Sequence, residues 1–315
     1  VTRSPAAPEV SAHVFRIPMR TRFRGQTLRE GVLLHGPAGW GEFSPFPEYG
    51  PRECARWLAC AREAAFEGWP EPVRDSVPVN TTVPAVDPVR AHDMVRRSGC
   101  GTAKVKVAER GQTFDDDVAR VEAVRDALGP SGRLRIDVNG AWEVDEAVRR
   151  LNRLGRFDLE YAEQPCATLE ELAAVRRACD VPIAADESIR RAEDPLRVKA
   201  AEAADIAVVK VQPLGGVRAA LRVVEACGLP AVVSSAVETS VGLAAGLALA
   251  AALPSLPYAC GLGTMSLLSG DVVDDSLVPV DGWLAVRRPT VNYQHLSSYE
   301  IESPQWLSRM QEASR

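Results

Sequence analysis

Residues Leu134 to Pro165 read LRIDVNGAWEVDEAVRRLNRLGRFDLEYAEQP. A short apolar run, Leu134–Val138, precedes a helix-like stretch, Val144–Leu154, and a second apolar run, Leu159–Ala162, follows it. The first run carries Asp137 near its end and the second is followed at once by Glu163. Strand, helix and strand joined by short links make a βαβ unit, whose two strands lie parallel in one sheet.

The same pattern repeats on both sides of this unit. Val77–Val83, Ala103–Val107, Ile183–Ala185, Ile206–Val211, Ala231–Ser234 and Tyr258–Leu262 read as further strands. Helix-like stretches stand between them at Pro88–Arg97, Asp115–Leu128, Leu169–Cys179, Val217–Cys227 and Val241–Leu253. The strand starts at 77, 103, 134, 159, 183, 206, 231 and 258 lie 23 to 31 residues apart. Eight strands in such a series predict an α/β protein with a closed (β/α) barrel. A doubly wound open sheet normally carries a Gly-rich phosphate loop after its first strand, and here Asn80-Thr81-Thr82 takes that place.

Outside the repeat the chain changes character. Residues 1–76 read as an α+β module, with strands at Glu9–Ile17, Gly31–His35 and Gly41–Phe43 and a helix at Pro51–Phe66. Pro at the first helical turn and Gly68-Trp69-Pro70 at the stop suit that helix. The barrel spans 77–270. The tail, 271–315, with Trp283, Tyr293, Tyr299 and Trp306, is expected to pack back on the N-terminal module and add a strand or helix there.

Composition narrows the function classes. The 315 residues are 46% hydrophobic and 25% charged, with 37 basic and 42 acidic residues and a net charge of −5. No basic patch announces a nucleic-acid partner. The longest apolar run, Val241 to Leu253, is too short to span a bilayer, and no signal peptide is visible, so a cytoplasmic protein without a membrane partner is expected. The seven cysteines are scattered without a CxxC spacing, as befits reduced thiols. Oligomeric state is left open, with a monomer compatible.

Polar residues recur where the barrel strands end. In chain order these ends carry Lys104-Val105-Lys106, Asp137, Glu163, Asp186 and Lys210. Barrel active sites are built at that end of the strands. A lone Lys-x-Lys is ordinarily a solvated face, and a lone Asp before a helix is ordinarily a cap. Five consecutive strands ending this way are a different matter, because charges are rare in buried strands unless paired or metal-bound. Three neighbouring carboxylates repel one another unless a cation sits between them, and hard oxygen donors favour Mg²⁺. Lysines beside such a metal can serve as bases, their ammonium form being disfavoured by neighbouring positive charge. None of His13, His35, His92 and His295 falls at a barrel strand end, which argues for lysine rather than histidine chemistry. No GxSxG elbow occurs.

These residues resemble the enolase superfamily, in its muconate-lactonizing subgroup, over nearly the whole chain. The resemblance implies an N-terminal capping domain and a modified (β/α)₇β barrel. It implies that Asp137, Glu163 and Asp186 hold Mg²⁺, that Lys106 is the main acid/base with Lys104 as its electrostatic partner, and that Lys210 opposes it. Within the subgroup, Gly39-Trp40-Gly41-Glu42-Phe43-Ser44-Pro45-Phe46-Pro47 and Ser234-Ser235-Ala236-Val237-Glu238-Thr239-Ser240-Val241-Gly242-Leu243 are similar to segments of the o-succinylbenzoate synthase family, Phe46 replacing the usual leucine. That similarity implies a small-molecule carboxylate substrate, 2-succinyl-6-hydroxy-2,4-cyclohexadiene-1-carboxylate, and elimination of water from it. It places Ser234, Ser235, Ala236 and Asn139 against the substrate. A helix N-terminus just beyond Ala236 would favour the succinyl anion. The loop around Arg20 to Gly25 and the Ser44–Gly50 segment are expected to close over the site. N-acylamino acid racemisation or dipeptide epimerisation by the same lysines stands as the alternative.

Overall fold

The structure, a computed structural model, describes residues 11–191 and 196–315. The expected strand start at Glu9 lies outside the described residues. In chain order the elements are β1 (Ser11–Phe23), β2 (Gln26–Gly36), β3 (Gly39–Phe43), α1 (Pro51–Arg62), β4 (Ser76–Val83), α2 (Pro88–Ser98), β5 (Thr102–Lys106), α3 (Phe114–Leu128) and β6 (Arg133–Asp137). There follow α4 (Val144–Leu154), β7 (Leu159–Glu163), α5 (Leu169–Ala178), β8 (Ile183–Ala185), α6 (Glu187–Arg191), α7 (Leu196–Ala200), β9 (Ile206–Val209), α8 (Val211–Leu214), α9 (Val217–Cys227) and β10 (Ala231–Val233). The chain ends with α10 (Ser240–Ala252), β11 (Cys260–Gly263), β12 (Trp283–Ala285), α11 (Tyr293–Ser297) and α12 (Pro304–Glu312).

Strands β4 to β11 form the parallel barrel, in the order β10-β9-β8-β7-β6-β5-β4-β11. Closure comes from a parallel bridge between Ser234 and Gly261, with Ser235 N–H donating to the Gly261 carbonyl at 3.0 Å. Gly261 is needed there, since a Cβ would stand 2.6 Å from Ser234 Oγ. Local sequence sets the helix starts. Thr113 and Thr168 each close a capping box, with Asp116 and Glu171, and Asp87 caps α2. The barrel strands are largely buried and rich in Val, Ile and Ala, as parallel strands covered by helices must be.

The N-terminal module is a three-stranded antiparallel sheet, β1-β2-β3, with α1 packed on it. Helix α1 runs on through a π-turn at Glu63–Glu67, so the expected helix to Phe66 is present in two geometries. The hairpin β1–β2 extends much further than the sequence suggested. Arg24 (φ 50°) and Gly25 (φ 74°) form its two-residue turn, the conformation a tight hairpin requires. The segment Arg20 to Gly25, expected as a loop, is therefore largely the end of a strand pair.

The tail divides between the two modules. β12 pairs antiparallel with the first half of β4, Trp283 opposite Pro78. Beyond it, Ile301 N–H donates to the Val14 carbonyl and Arg16 N–H to that of Tyr299, adding the tail to the edge of β1. Arg309 of α12 donates to the carbonyls of Pro45, Phe46 and Tyr49, fixing the segment that follows β3. Ile301, Trp306 and Met310 pack on the core of the N-terminal module.

Candidate active site

Sheet register assembles the charged residues. Lys106 lies opposite Asp137, and Asp137 opposite Glu163, across β5, β6 and β7. Asp186 follows β8 directly and Lys210 follows β9, so all stand at the C-terminal rim of the barrel. Lys104 and Lys106, two apart on β5, share one face. The expected strand Ile206–Val211 stops at Val209. Lys210 stays extended (φ −121°, ψ 126°), and the Val211–Leu214 turn then begins the helical path. All six side chains are buried, Glu163 and Asp186 fully so.

Each carboxylate faces an ammonium. Lys104 Nζ donates to Glu163 Oε1 and Oε2 at 2.9 and 2.7 Å and lies 3.6 Å from Asp137 Oδ2. Lys106 Nζ also lies 3.6 Å from Asp137 Oδ2, and it is buried without a hydrogen-bond acceptor. Lys210 Nζ donates to Asp186 Oδ2. Burial alone would lower the Lys104 pKa, but Glu163 and Asp137 outweigh it and raise the value. Burial pushes Glu163 up to about 7, against the opposing pull of Lys104. The two shifts act oppositely on one contact, and the two-pronged geometry is that of an ion pair, so Glu163 is read as ionised. Asp137 is held below the usual range, the nearby Lys106 and Lys104 overcoming the effect of burial.

Among the described residues no three acidic, cysteine or histidine side chains are gathered closely enough to hold a metal ion as they stand. The donor set nevertheless fits a hard divalent cation. Three carboxylates on adjacent strands lie beside lysine amines, and buried carboxylates require positive charge next to them. A divalent ion would supply two of those charges, with the lysines yielding contact to it.

Above the rim lies a cleft lined by Lys104, Asp137, Asn139, Lys210 and Ser234 to Val237 from the barrel, and by Phe23, Arg24 and Phe46 from the capping module. Thr82, Gly261 and Thr264 complete it. Asn139 (φ 51°) donates from its backbone to Asp137 Oδ1 at 3.2 Å and from its amide to Glu187 Oε1 at 3.3 Å. Ser235 Oγ pairs with Thr264 Oγ1 at 2.7 Å and accepts from Val237 N–H. The Ala236 N–H is engaged by Glu238 Oε2 at 2.8 Å. The N-terminus of α10 is filled by the chain's own anions. Glu42 accepts from Thr239 N–H, Thr239 Oγ1 and Gly242 N–H, and Asp271 accepts from Ser240. Gly242 is required by that approach, since a Cβ would stand 2.8 Å from the Glu42 carboxyl. Sequence reasoning named the serines and Asn139 but missed Arg24, which lines the cleft with its guanidinium 5.0 Å over the Phe46 ring and 3.6 Å from Glu187. Its position at a hairpin turn was the available signal.

The family described as Enolase N-terminal domain-like matches residues 14–65, and the one described as Enolase C-terminal domain-like matches residues 88–290. The chain belongs to the enolase superfamily. Enolase superfamily enzymes generally use Mg²⁺. Among its relatives in this superfamily is an o-succinylbenzoate synthase of Thermobifida fusca, 70% identical over 96% of this chain and 95% of that one. Another, of Mycolicibacterium smegmatis, is 54% identical over 95% and 93%. The muconate lactonizing enzyme of Pseudomonas fluorescens, solved with muconolactone, superposes with a TM-score of 0.80 over 93% of this chain and 98% of that one, at 21% identity. That enzyme shares the fold. No described helix is long and apolar enough to cross a membrane.

Proposed function

We infer that this chain catalyses the reaction for which its relatives are named. The substrate is 2-succinyl-6-hydroxy-2,4-cyclohexadiene-1-carboxylate, the product is 2-succinylbenzoate, and the reaction is a hydro-lyase step of menaquinone biosynthesis. The observation that carries this reading is the meeting of Lys106 and Lys210 with Asp137, Glu163 and Asp186 at one rim, in a chain 70% identical to an o-succinylbenzoate synthase. Asp137, Glu163 and Asp186 are the groups that would hold Mg²⁺, which when bound stabilises negative charge on the substrate carboxylate.

The chain's own residues do the rest. Lys106, whose amine has no competing acceptor, removes the proton next to the carboxylate. Lys210, in contact with Asp186 and lining the cleft, supplies positive charge as the substrate gains negative charge. Lys106 then returns its proton to the departing hydroxyl, water leaves, and the ring becomes aromatic. Arg24 and Phe46 roof the cleft and exclude solvent. Arg24 offers the capping module's cation to the succinyl carboxylate.

The test is direct. Purified protein with Mg²⁺ is mixed with the cyclohexadiene substrate, and 2-succinylbenzoate is followed by ultraviolet absorbance. Formation that stops on chelation is expected. No product, together with racemisation of N-succinylamino acids, would move the assignment to the racemase alternative.

A further inference from the structure

The wall of the cleft contains a strained residue. Val237 has φ +62°, a conformation that a β-branched side chain resists, and it is almost fully buried. Two contacts hold it there. Its N–H donates to Ser235 Oγ at 3.1 Å, and its carbonyl accepts from Arg29 Nε at 2.8 Å. Arg29 belongs to β2 of the capping module, 208 residues away in sequence. It is itself buried, donating to Ser44 O at 2.8 Å and Ser44 Oγ at 3.1 Å, with its guanidinium 4.7 Å over the Phe46 ring. Phe46 and Val237 both line the cleft. A buried guanidinium is costly to keep. This one spans the seam between the modules and ends on the carbonyl of the strained residue.

We propose that Arg29 is a positioning residue: through the Val237 carbonyl it locks the Ser234–Val237 arch into the shape that receives the part of the substrate remote from Lys106. This rests on the activity inferred above. The capping module thereby shapes a barrel loop from behind, in addition to covering the cleft with Arg24 and Phe46. Glycine adopts positive φ without strain, whereas alanine does not. The arch should therefore depend on Arg29 when residue 237 is Val or Ala, and be largely independent of it when residue 237 is Gly.

The experiment compares Arg29→Met in three backgrounds: Val237, Val237→Gly and Val237→Ala. Two quantities are read, hydrogen exchange of the peptide covering residues 234–242 and the steady-state KM and kcat for dehydration. In the Val237 and Val237→Ala backgrounds, Arg29→Met should speed exchange and raise KM by about ten-fold, the size of effect that released backbone strain produces. In the Val237→Gly background both effects should shrink to about two-fold, because glycine keeps the turn unaided. The change in kcat should be smaller than that in KM throughout. Equal effects in the Gly and Ala backgrounds would overturn the proposal, since loss of packing alone predicts them. If Arg29→Met does not fold, Arg29→Lys takes its place, keeping the charge but lacking the Nε–H donor, with the same pattern expected. Absence of turnover in the unaltered protein would refute the activity, and the exchange pattern alone would then decide the role of Arg29.

Discussion

Replacing Glu42 by Gln should change how stability depends on pH. Glu42 is buried between the modules and accepts from Ser44 Oγ at 2.6 Å, Thr239 N–H at 3.1 Å, Thr239 Oγ1 at 2.5 Å and Gly242 N–H at 3.1 Å. Burial pushes its pKa up from 4.5 to about 7, against the lowering effect of the Ser44 and Thr239 hydrogen bonds. The folded state therefore holds this proton more tightly than the unfolded chain does. The resulting stabilisation is fully present below the unfolded value and is lost as pH rises through about 7. Between pH 5 and 8 the loss from this one group amounts to about 2 kcal/mol. Glutamine keeps an acceptor oxygen and does not titrate, so Glu42→Gln should lack that part of the slope. Urea denaturation of both proteins across this range measures it. The stability of the unaltered protein relative to Glu42→Gln should fall by about 2 kcal/mol toward pH 8. A difference that stays flat or grows with pH would show that Glu42 does not hold its proton more tightly in the folded state. Glu42→Ala serves as control, leaving the backbone N–H groups of Thr239 and Gly242 without their acceptor, and should cost about 3 kcal/mol across the range.

Lys106→Ala should lower kcat for dehydration by at least about 100-fold, the usual contribution of a general base, while circular dichroism shows the fold retained. Lys210→Met removes the ammonium facing buried Asp186 and should destabilise the fold by about 3 kcal/mol, with added Mg²⁺ recovering part of it in thermal melts. Arg24→Ala should raise KM by about ten-fold and leave kcat within about three-fold, as expected for a group that binds a remote carboxylate rather than the reacting centre.

The barrel was legible because its signals are local. Each strand is a short apolar run, and each acid or lysine at a strand end stands out because buried strands exclude charge. That is why Lys104, Lys106, Asp137, Glu163, Asp186 and Lys210 could be named from sequence, and the structure brings all six to one rim. The contacts that shape the substrate face were not legible, because they are long-range. Glu42 reaches α10 from 197 to 200 residues away, and Arg29 reaches Val237 from 208. Nothing near Thr239 says that its helix terminus is already occupied by carboxylates of the chain. The helix end that looked available to a substrate anion is taken up in joining the two modules. Likewise the Arg-rich run Arg20 to Arg24 looks like a loop. It becomes a hairpin because Arg24-Gly25 can make a tight turn and the flanking residues pair.

The proposed function requires that Asp137, Glu163 and Asp186, which face lysines here, share one divalent ion. Soaking crystals with Mn²⁺ and 2-succinylbenzoate and recording anomalous scattering tests it most directly. A single strong peak is expected, touched by oxygens of Asp137, Glu163 and Asp186 and by the product carboxylate, with Lys106 and Lys210 on either side of the ring. A peak elsewhere, or no peak with the lysine–carboxylate pairs unchanged beside bound product, would contradict it.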